Sequence, residues 1–325
     1  MFDKVATNRA LEIFGSAKRI CCICHRNPDG DAIGSVTGMA LLLEENFPDT
    51  VVELYCVDPS PPTFHFLPAA LRIKHDLEPR DGDAYVFLDC AEPKLTEYHE
   101  TLPQLFDKSL PSVVFDHHLS NPEFGQVNFV YSDSASACEV VIGFADGVGW
   151  AVTSDCATCL LTGVYTDTGG LLHSNTTTRV YRTVARLLRL GARQQTIIQN
   201  VFRTAKLSTL RLWGRVLEKI SLSDEGAAIS ALTEGDFRAT GADYSELTGA
   251  IDYVNAVPGM KFSLILSERG GKVKGSLRTL RDDVDVAAMA KKFDGGGHKK
   301  AAGFALDGKL TSEVRWKVET PTDKR

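Results

Sequence analysis

The sequence predicts an α/β protein, with an N-terminal parallel sheet and a smaller C-terminal α/β domain. Three observations carry that reading. Short apolar runs of strand length alternate with segments of helical periodicity through the first half. Residues 25–31, 89 and 116–118 fall just beyond such runs, where a parallel sheet places its ligand site, although the chain separates them widely. After Ser221 the pattern changes to further short strands with one helix.

Taken in order, residues 20–24 form the first strand-like run, and 32–47 continue with helical spacing. Residues 51–57, 85–89 and 113–115 are further strand-like runs, each closing on a polar or acidic group. Residues 138–145, 156–164 and 179–190 read as helices that complete a catalytic domain over 1–191. Residues 192–220 read as a connector of one or two polar helices. Strands are expected at 227–232, 262–267, 273–277 and 301–306, with a helix at 284–293, in a second domain over 221–310. Residues 311–325 make a polar tail, expected to fray. There is no internal repeat and no low-complexity tract.

A chain of 325 residues is long enough for two cores. Its 43% apolar and 24% charged content is globular, which argues against disorder. No apolar run approaches the roughly 18 residues of a membrane helix. Met1-Phe2-Asp3-Lys4 does not open a secretory leader, so the expected location is the cytoplasm. The eight cysteines lack a framework spacing and sit in apolar runs, as reduced buried thiols do. Cys156-x-x-Cys159 has no second pair to complete a zinc or redox site. With a net charge of −6, any anionic partner must be met by metals or by a small basic cluster.

The residues suited to chemistry form clusters. His25-Arg26-Asn27-Pro28-Asp29-Gly30-Asp31 places an imidazole and two carboxylates in a turn before a helix. The aspartates could cap that helix, but one suffices for a cap, and the mixture suits a divalent metal. Asp89 ends an apolar run, and a carboxylate there must find a partner or a cation. In Asp116-His117-His118 the adjacent imidazoles point in different directions, so one can ligate while the other faces substrate. Asp167, in Tyr165-Thr166-Asp167-Thr168-Gly169-Gly170, is a further ligand or a helix-terminal turn. His25, Asp29, Asp31, Asp89, His117 and Asp167 are about the number of ligands that two ions roughly 3.5–4 Å apart require. Asp116 and His118 stand in reserve. Carboxylates favour magnesium or manganese, and the imidazoles tip the choice to manganese, with magnesium or cobalt as alternatives. In the second half, Gly295-Gly296-Gly297-His298 reads as a flexible turn or as an anion-binding nest of N–H groups. Ser276 and Arg278, at a strand end, offer a hydroxyl and a guanidinium fork to a phosphate.

At these residues the chain resembles the DHH phosphoesterase superfamily, over roughly residues 5–308. The motifs are HxNPDGDAIGS from His25 to Ser35, Asp89, Asp116-His117-His118, YTDTGG around Asp167, and the GSLRT and GGGH segments of a DHH-associated substrate domain. Arg26 departs from the smaller polar residue of many relatives and leaves the ligand set intact. The resemblance implies that His25, Asp29 and Asp89 hold one ion. Asp31, Asp89, His117 and Asp167 would hold the second, with Asp89 bridging. His118 would contact the scissile phosphate, and Asp116 would support the histidines. Ser276, Arg278 and His298, with Gly295, Gly296 and Gly297, would grip the substrate. Within the superfamily the resemblance is to the oligoribonuclease/pAp-phosphatase group called NrnA. The expected partners are short single-stranded RNA or DNA oligonucleotides, linear diadenylate (pApA) or 3′-phosphoadenosine 5′-phosphate, with no membrane and with a homo-oligomer left open. The alternatives are a polyphosphate or pyrophosphate hydrolase, a RecJ-like single-strand exonuclease and a non-catalytic nucleotide-binding module.

Overall fold

The computed structural model describes residues 2–313. They fall into two compact units, one ending at Thr204 and one starting at Ala205. The first unit opens with α1 (Lys4–Ser16), capped by the Asp3 carboxylate, which accepts from the Ala6 N–H at 2.7 Å. There follow β1 (Arg19–Ile23), α2 (Gly30–Asn46), β2 (Val51–Tyr55), β3 (Asp83–Leu88), β4 (Ser112–Asp116) and β5 (Val127–Val130). The longer helices α3 (Ala137–Val148), α4 (Ser154–Asp167) and α5 (Thr178–Arg189) follow. The strands pair as β2-β1-β3-β4-β5, each pairing parallel. In this order the winding direction reverses between β1 and β3, and the crevice outside their carboxyl ends is the place for a ligand.

Alternation along the strands gives the sheet two apolar faces. Cys22, Val86, Leu88 and Phe115 belong to the core shared with the helices. Cys21, Ile23, Tyr85, Phe87 and Val114 belong to a second core on the other face. The sequence led us to expect covering helices. On this second face the cover comes instead from short turns and loops carrying Leu77, Tyr98 and Leu105, because the β2–β3 and β3–β4 connections hold no long helical repeat. All eight cysteines are free and buried. Among the described residues no helix is long and apolar enough to cross a membrane.

One contact between helices decides where the site can form. Gly30, Gly34 and Gly38 recur every four residues and make a ridge of bare backbone on α2. A Cβ at Gly30 would meet the Thr166 side chain at 2.3 Å, and one at Gly34 the Cys159 carbonyl at 2.6 Å. On α4, a Cβ at Gly163 would lie 2.4 Å from Asp31 Oδ1. The first turn of α2 is therefore pressed against the last turns of α4.

The amino ends of the strands are locked by charge. Arg19 on β1 donates through Nε to Asp83 Oδ1 at 2.9 Å and through Nη2 to Asp83 Oδ2 at 2.5 Å. Its Nη1 reaches Glu53 Oε2 at 2.9 Å and Tyr55 Oη at 3.2 Å, so one guanidinium ties three strands together.

The second unit begins with α6 (Leu207–Glu218), β6 (Ser221–Leu222), β7 (Ala227–Leu232), α7 (Glu234–Thr240) and α8 (Ala250–Asn255). β8 (Phe262–Arg269), β9 (Lys272–Arg278), α9 (Val286–Lys291), β10 (Gly296–His298) and β11 (Ala301–Asp307) follow. Its sheet runs β10-β11-β9-β8-β7-β6, and only β7 and β8 pair in parallel. Gly270 and Gly271, at φ +57° and +77°, close the two-residue β8–β9 hairpin, which needs left-handed backbone at both positions. Leu212, Phe237, Val254 and Ile265 pack on one face; Leu277, Val286 and Phe304 pack on the other. Of the segment expected as a connector, Ile197 lies in the first unit's core, while Leu212 and Val216 lie in the second's. Residues 314–325, most of the expected tail, lie outside the described residues.

Replacing Asp83 by Asn should destabilise the protein by about 3 kcal/mol, because it leaves the buried Arg19 charge without its anion. Urea unfolding with an unchanged m value checks this. A loss below about 1 kcal/mol would assign the network the small value of a surface pair.

Candidate metal centre

The chain leaves β1 at Cys24 and turns at His25. The His25 Nδ1 lies 2.7 Å from the Arg26 carbonyl, which assigns the proton to that nitrogen. Nε2, where a second proton or a cation would bind, lies 3.4 Å from Asp89 Oδ2 and 3.9 Å from Asp29 Oδ1. Asp29 is the N-cap of α2, its Oδ1 accepting from the Asp31 and Ala32 N–H groups at 3.0 and 3.1 Å. Capping occupies one oxygen, so the cap and the ligand readings of Asp29 are compatible. Asp31, fully buried, turns from α2 to the start of α3, where the Ala137 and Cys138 N–H groups donate to it at 2.5 and 3.0 Å. A helix amino terminus is a favourable place for that charge.

Asp89 follows β3 in a left-handed conformation (φ +58°), which costs a residue with a Cβ about 1 kcal/mol. Its carboxylate is 3% exposed. Oδ2 faces His25, while Oδ1 lies 3.5 Å from His117 Nε2. Oδ1 is buried and has no hydrogen-bond partner among the described residues. His117 Nε2 is also 3.3 Å from Asp167 Oδ2 and 3.9 Å from Asp31 Oδ2. Asp167 is the last residue of α4, and Gly169 and Gly170, at φ +57° and +68°, turn the chain away behind it.

Two groups of donors result, and within each the ligand atoms lie within 4.8 Å of one another. One is His25, Asp29 and Asp89; the other is Asp31, His117 and Asp167. Asp89 stands between them, one oxygen toward each imidazole. A third compact group joins Asp89 to Asp116, His117 and His118. Asp116 is already engaged, however. Its Oδ1 accepts from the His117 N–H at 2.7 Å, the His118 N–H at 3.2 Å and His118 Nδ1 at 2.8 Å. Its Oδ2 accepts from Asn121 Nδ2 at 2.5 Å. It therefore positions both histidines and has little left for a cation.

The electrostatics point the same way. Burial, and then the neighbouring Asp89 charge, push the Asp31 carboxyl above its usual range. Burial, then Asp31 and Asp89, do the same to Asp167. Burial opposes ionisation of Asp89, but the nearby His117 and His25 imidazoles hold its carboxyl low. Burial alone would lower the imidazoles; contact with Asp89 lifts His25 to about 9 and His117 to about 10. This site keeps protons to offset its carboxylates. A divalent cation offsets them more strongly, and the donor set of oxygens and imidazoles with an orphaned Asp89 oxygen fits one.

Two supports are not among the residues that the sequence singles out. Asn121 bridges Asp116 and the Cys90 carbonyl, the latter at 3.1 Å. The amides that hold Asp31 belong to a helix start capped by Ser136. Ser136 Oγ accepts from the Glu139 N–H at 3.1 Å, and Glu139 Oε2 from the Ala135 N–H at 2.9 Å. The Ser-x-x-Glu spacing is the signal that marks it.

In the second unit Ser276 and Arg278 project from one face of β9. Arg278 is opposite Ala301, which is opposite His298; Ser276 is opposite Gly303, which is opposite Gly296. Arg278, Ser276 and His298 thus share a face, with only Ala301 and Gly303 between them. The anion nest expected of the glycines is not formed. Gly296 and Gly297 are residues of β10, where successive N–H groups point in opposite directions, and the Gly295 N–H donates to the Ala290 carbonyl at 3.0 Å. What demands glycine is close packing: a Cβ at Gly295 would meet the Gly303 carbonyl at 2.3 Å, and one at Gly297 the Ala301 carbonyl at 2.5 Å.

Residues 19–164 match the DHH family, N-terminal domain, and residues 226–316 match the DHHA1 domain. A bifunctional oligoribonuclease and PAP phosphatase NrnA of Thermus thermophilus is 33% identical over 87% of this chain and 83% of its own. The protein of that name from Bacillus subtilis is 23% identical over 87% of both chains. Among solved structures, an exopolyphosphatase-related protein from Bacteroides fragilis has a TM-score of 0.80 at 24% identity. That match covers 96% of this chain and 93% of the other, and it speaks to the fold alone.

Asp89→Ala should cost more than Asp29→Ala, because Asp89 turns one oxygen toward His25 and the other toward His117, whereas Asp29 approaches His25 alone. Turnover should fall at least about a thousandfold, on the order of 4 kcal/mol, with loss of bound metal. Metal content and rate near wild type would refute the shared role. Metal uptake should also strengthen as pH rises. His25 and His117 hold protons up to about 9 and about 10, and a cation must displace them. Calorimetry in buffers of different ionisation enthalpy should record proton release; uptake independent of pH would contradict the donor assignment.

Proposed function

The chain belongs to the DHH family of phosphoesterases, and from that membership and its two donor groups we propose a manganese-dependent hydrolase of short oligonucleotides. Its products are mononucleotides, and by the same chemistry it converts 3′-phosphoadenosine 5′-phosphate to AMP in the cytoplasm. The observation that carries the metal assignment is the Asp89 carboxylate, which addresses two imidazoles and keeps one buried oxygen unmatched. The Thermus thermophilus and Bacillus subtilis relatives, whose names join an oligoribonuclease to a PAP phosphatase, support the substrate class.

In this reading His25, Asp29 and Asp89 hold one ion, and Asp31, Asp89, His117 and Asp167 hold the other. When bound, such a pair supplies Lewis-acid stabilisation of phosphoryl charge and a water of lowered pKa. His118 directs its free ring edge to the phosphate. Asp116 holds its Nδ1 and, against burial, raises its pKa, so the imidazolium that suits a phosphoryl oxygen is favoured.

Ser276, Arg278 and His298 take a phosphate of the substrate that does not react, on the face where Gly295, Gly296 and Gly297 keep the backbone close. Arg278 can fork onto a terminal phosphate, and binding energy gained there serves to orient the reacting group. A chain of net charge −6 gains little from a long polyanion beyond these contacts, so substrates of about two to five nucleotides are preferred.

Chelation should abolish activity and manganese should restore it; full activity in a verified metal-free preparation would sink the reading. Initial rates at equal concentrations of ends should favour a dinucleotide over a long single strand. Arg278→Ala should raise KM with metal content unchanged. A faster rate on the long strand, indifferent to Arg278→Ala, would mark a processive exonuclease. Hydrolysis of polyphosphate alone would remove the nucleotide from the assignment.

A further inference from the structure

A cavity of about 330 Å³ opens on the second unit's sheet, between β8, β9 and the turn at Tyr244–Leu247. Arg269, Lys274 and Arg278 line it, with the hydroxyls of Ser267 and Ser276 and the ring of Tyr244. No carboxylate lines it among the described residues. The nearest acids are turned elsewhere. Glu246, in the turn itself, accepts from the Ser208 and Thr209 hydroxyls of α6 at 2.7 and 2.5 Å. Glu268 accepts from the N–H groups of Glu234 at 3.1 Å and Leu310 at 2.6 Å.

Cations nearby are paired: Lys272 with Asp307 at 3.4 Å, Arg281 with Asp283 at 2.7 Å and Lys300 with Asp282 at 2.7 Å. The three in the cavity form no ion pair among the described residues. Arg278 donates to the Leu277 carbonyl at 3.0 Å, and the Arg269 guanidinium carbon lies 4.9 Å from the centre of the Tyr244 ring. Holding three like charges together costs repulsion unless an anion joins them. In a chain of net charge −6, that anion is supplied from outside.

Spacing narrows the ligand. Lys274, Ser276 and Arg278 alternate onto one face of β9, and two residues of antiparallel strand advance about 7 Å. That is the scale on which an extended phosphodiester backbone repeats.

We propose that this cavity is an oligonucleotide subsite. Arg278 and Ser276 take one phosphate, and Lys274 and Arg269, the latter backed by the Tyr244 ring, take the adjoining one. The inference rests on the function proposed above and adds a length rule to it. Arg278 serves every substrate, whereas Lys274 and Arg269 serve only substrates with a further phosphodiester.

The test uses the full chain in EDTA, where no turnover occurs, with a 5′-phosphorylated tetranucleotide and a nucleoside 3′,5′-bisphosphate as probes. Lys274→Ala and Arg269→Ala should each weaken tetranucleotide binding about tenfold and leave the bisphosphate within about twofold. Lys274→Arg should restore the tetranucleotide. With manganese present, KM should split in the same way while kcat stays level. Equal losses on both probes would place Lys274 and Arg269 at the first phosphate and overturn the length rule. No loss on the tetranucleotide, with hydrolysis intact, would remove the cavity from the substrate's path while leaving the proposed activity standing. A wild-type chain that neither binds nor hydrolyses either probe would overturn both.

Discussion

The Asp89 carboxylate sits between two imidazoles, 3.4 Å from His25 Nε2 through one oxygen and 3.5 Å from His117 Nε2 through the other. Only 3% of its surface reaches solvent, and taking a carboxylate out of water costs several kcal/mol. Asp31, also buried, and Asp167 add like charges close by. The surrounding features all reduce this cost. The amino end of α3 faces Asp31, the His25 and His117 imidazoles are drawn toward their protonated forms, and the Asp116 carboxylate fixes where His117 and His118 point. What remains uncompensated is the charge that divalent cations remove.

The sheet and the glycine ridge make this concentration of charge reachable. Strand order brings the ends of β1, β3 and β4 side by side, which supplies His25, Asp89 and His117 from neighbouring positions. Asp31 and Asp167 come from helices, and they meet only because α2 and α4 touch through bare backbone. Any side chain at Gly34 would have to displace the Cys159 carbonyl or move the helix. Either movement separates Asp31 from Asp167, and one donor group would lose its shape. A stability requirement on the ridge and a functional requirement on the ligands are therefore the same requirement.

How much of this is legible in the sequence follows from what each feature needs. A parallel strand buried on both faces is an apolar run, so the runs at 20–24, 51–57, 85–89 and 113–115 lie on β1, β2, β3 and β4. β5, with only Val-Asn-Phe-Val, and the short helices α7 and α8 are too brief for either period to stand out. The metal-type side chains are legible because histidine and aspartate at strand ends have few other uses. The amides of Ala137 and Cys138 are not, since a backbone N–H has no residue identity. The glycines at 295–297 misled for a related reason. A run of glycine is compatible with a nest and with a tightly covered strand, and the covering residues, Gly303 and Phe304, decide between them.

β3 offers an internal comparison. Asp83 at its start and Asp89 just past its end are both buried carboxylates on one strand. Asp83 receives Arg19 Nε and Nη2, the Arg80 N–H at 2.6 Å and the Tyr85 hydroxyl at 3.2 Å. Its hydrogen-bonding capacity is filled, and nothing further is asked of it. Asp89 has the same chemistry and an oxygen left open. Since native structures satisfy nearly all buried polar atoms, the open one needs an explanation, and burial by itself gives none. The second unit shows the complementary imbalance. Lys272, Arg281 and Lys300 are paired, while Arg269, Lys274 and Arg278 line one cavity and form no ion pair among the described residues. One unit holds negative charge in need of cations; the other holds positive charge in need of a phosphate. A ligand that carries phosphates and works with divalent ions answers both with one chemistry, which neither imbalance alone would specify.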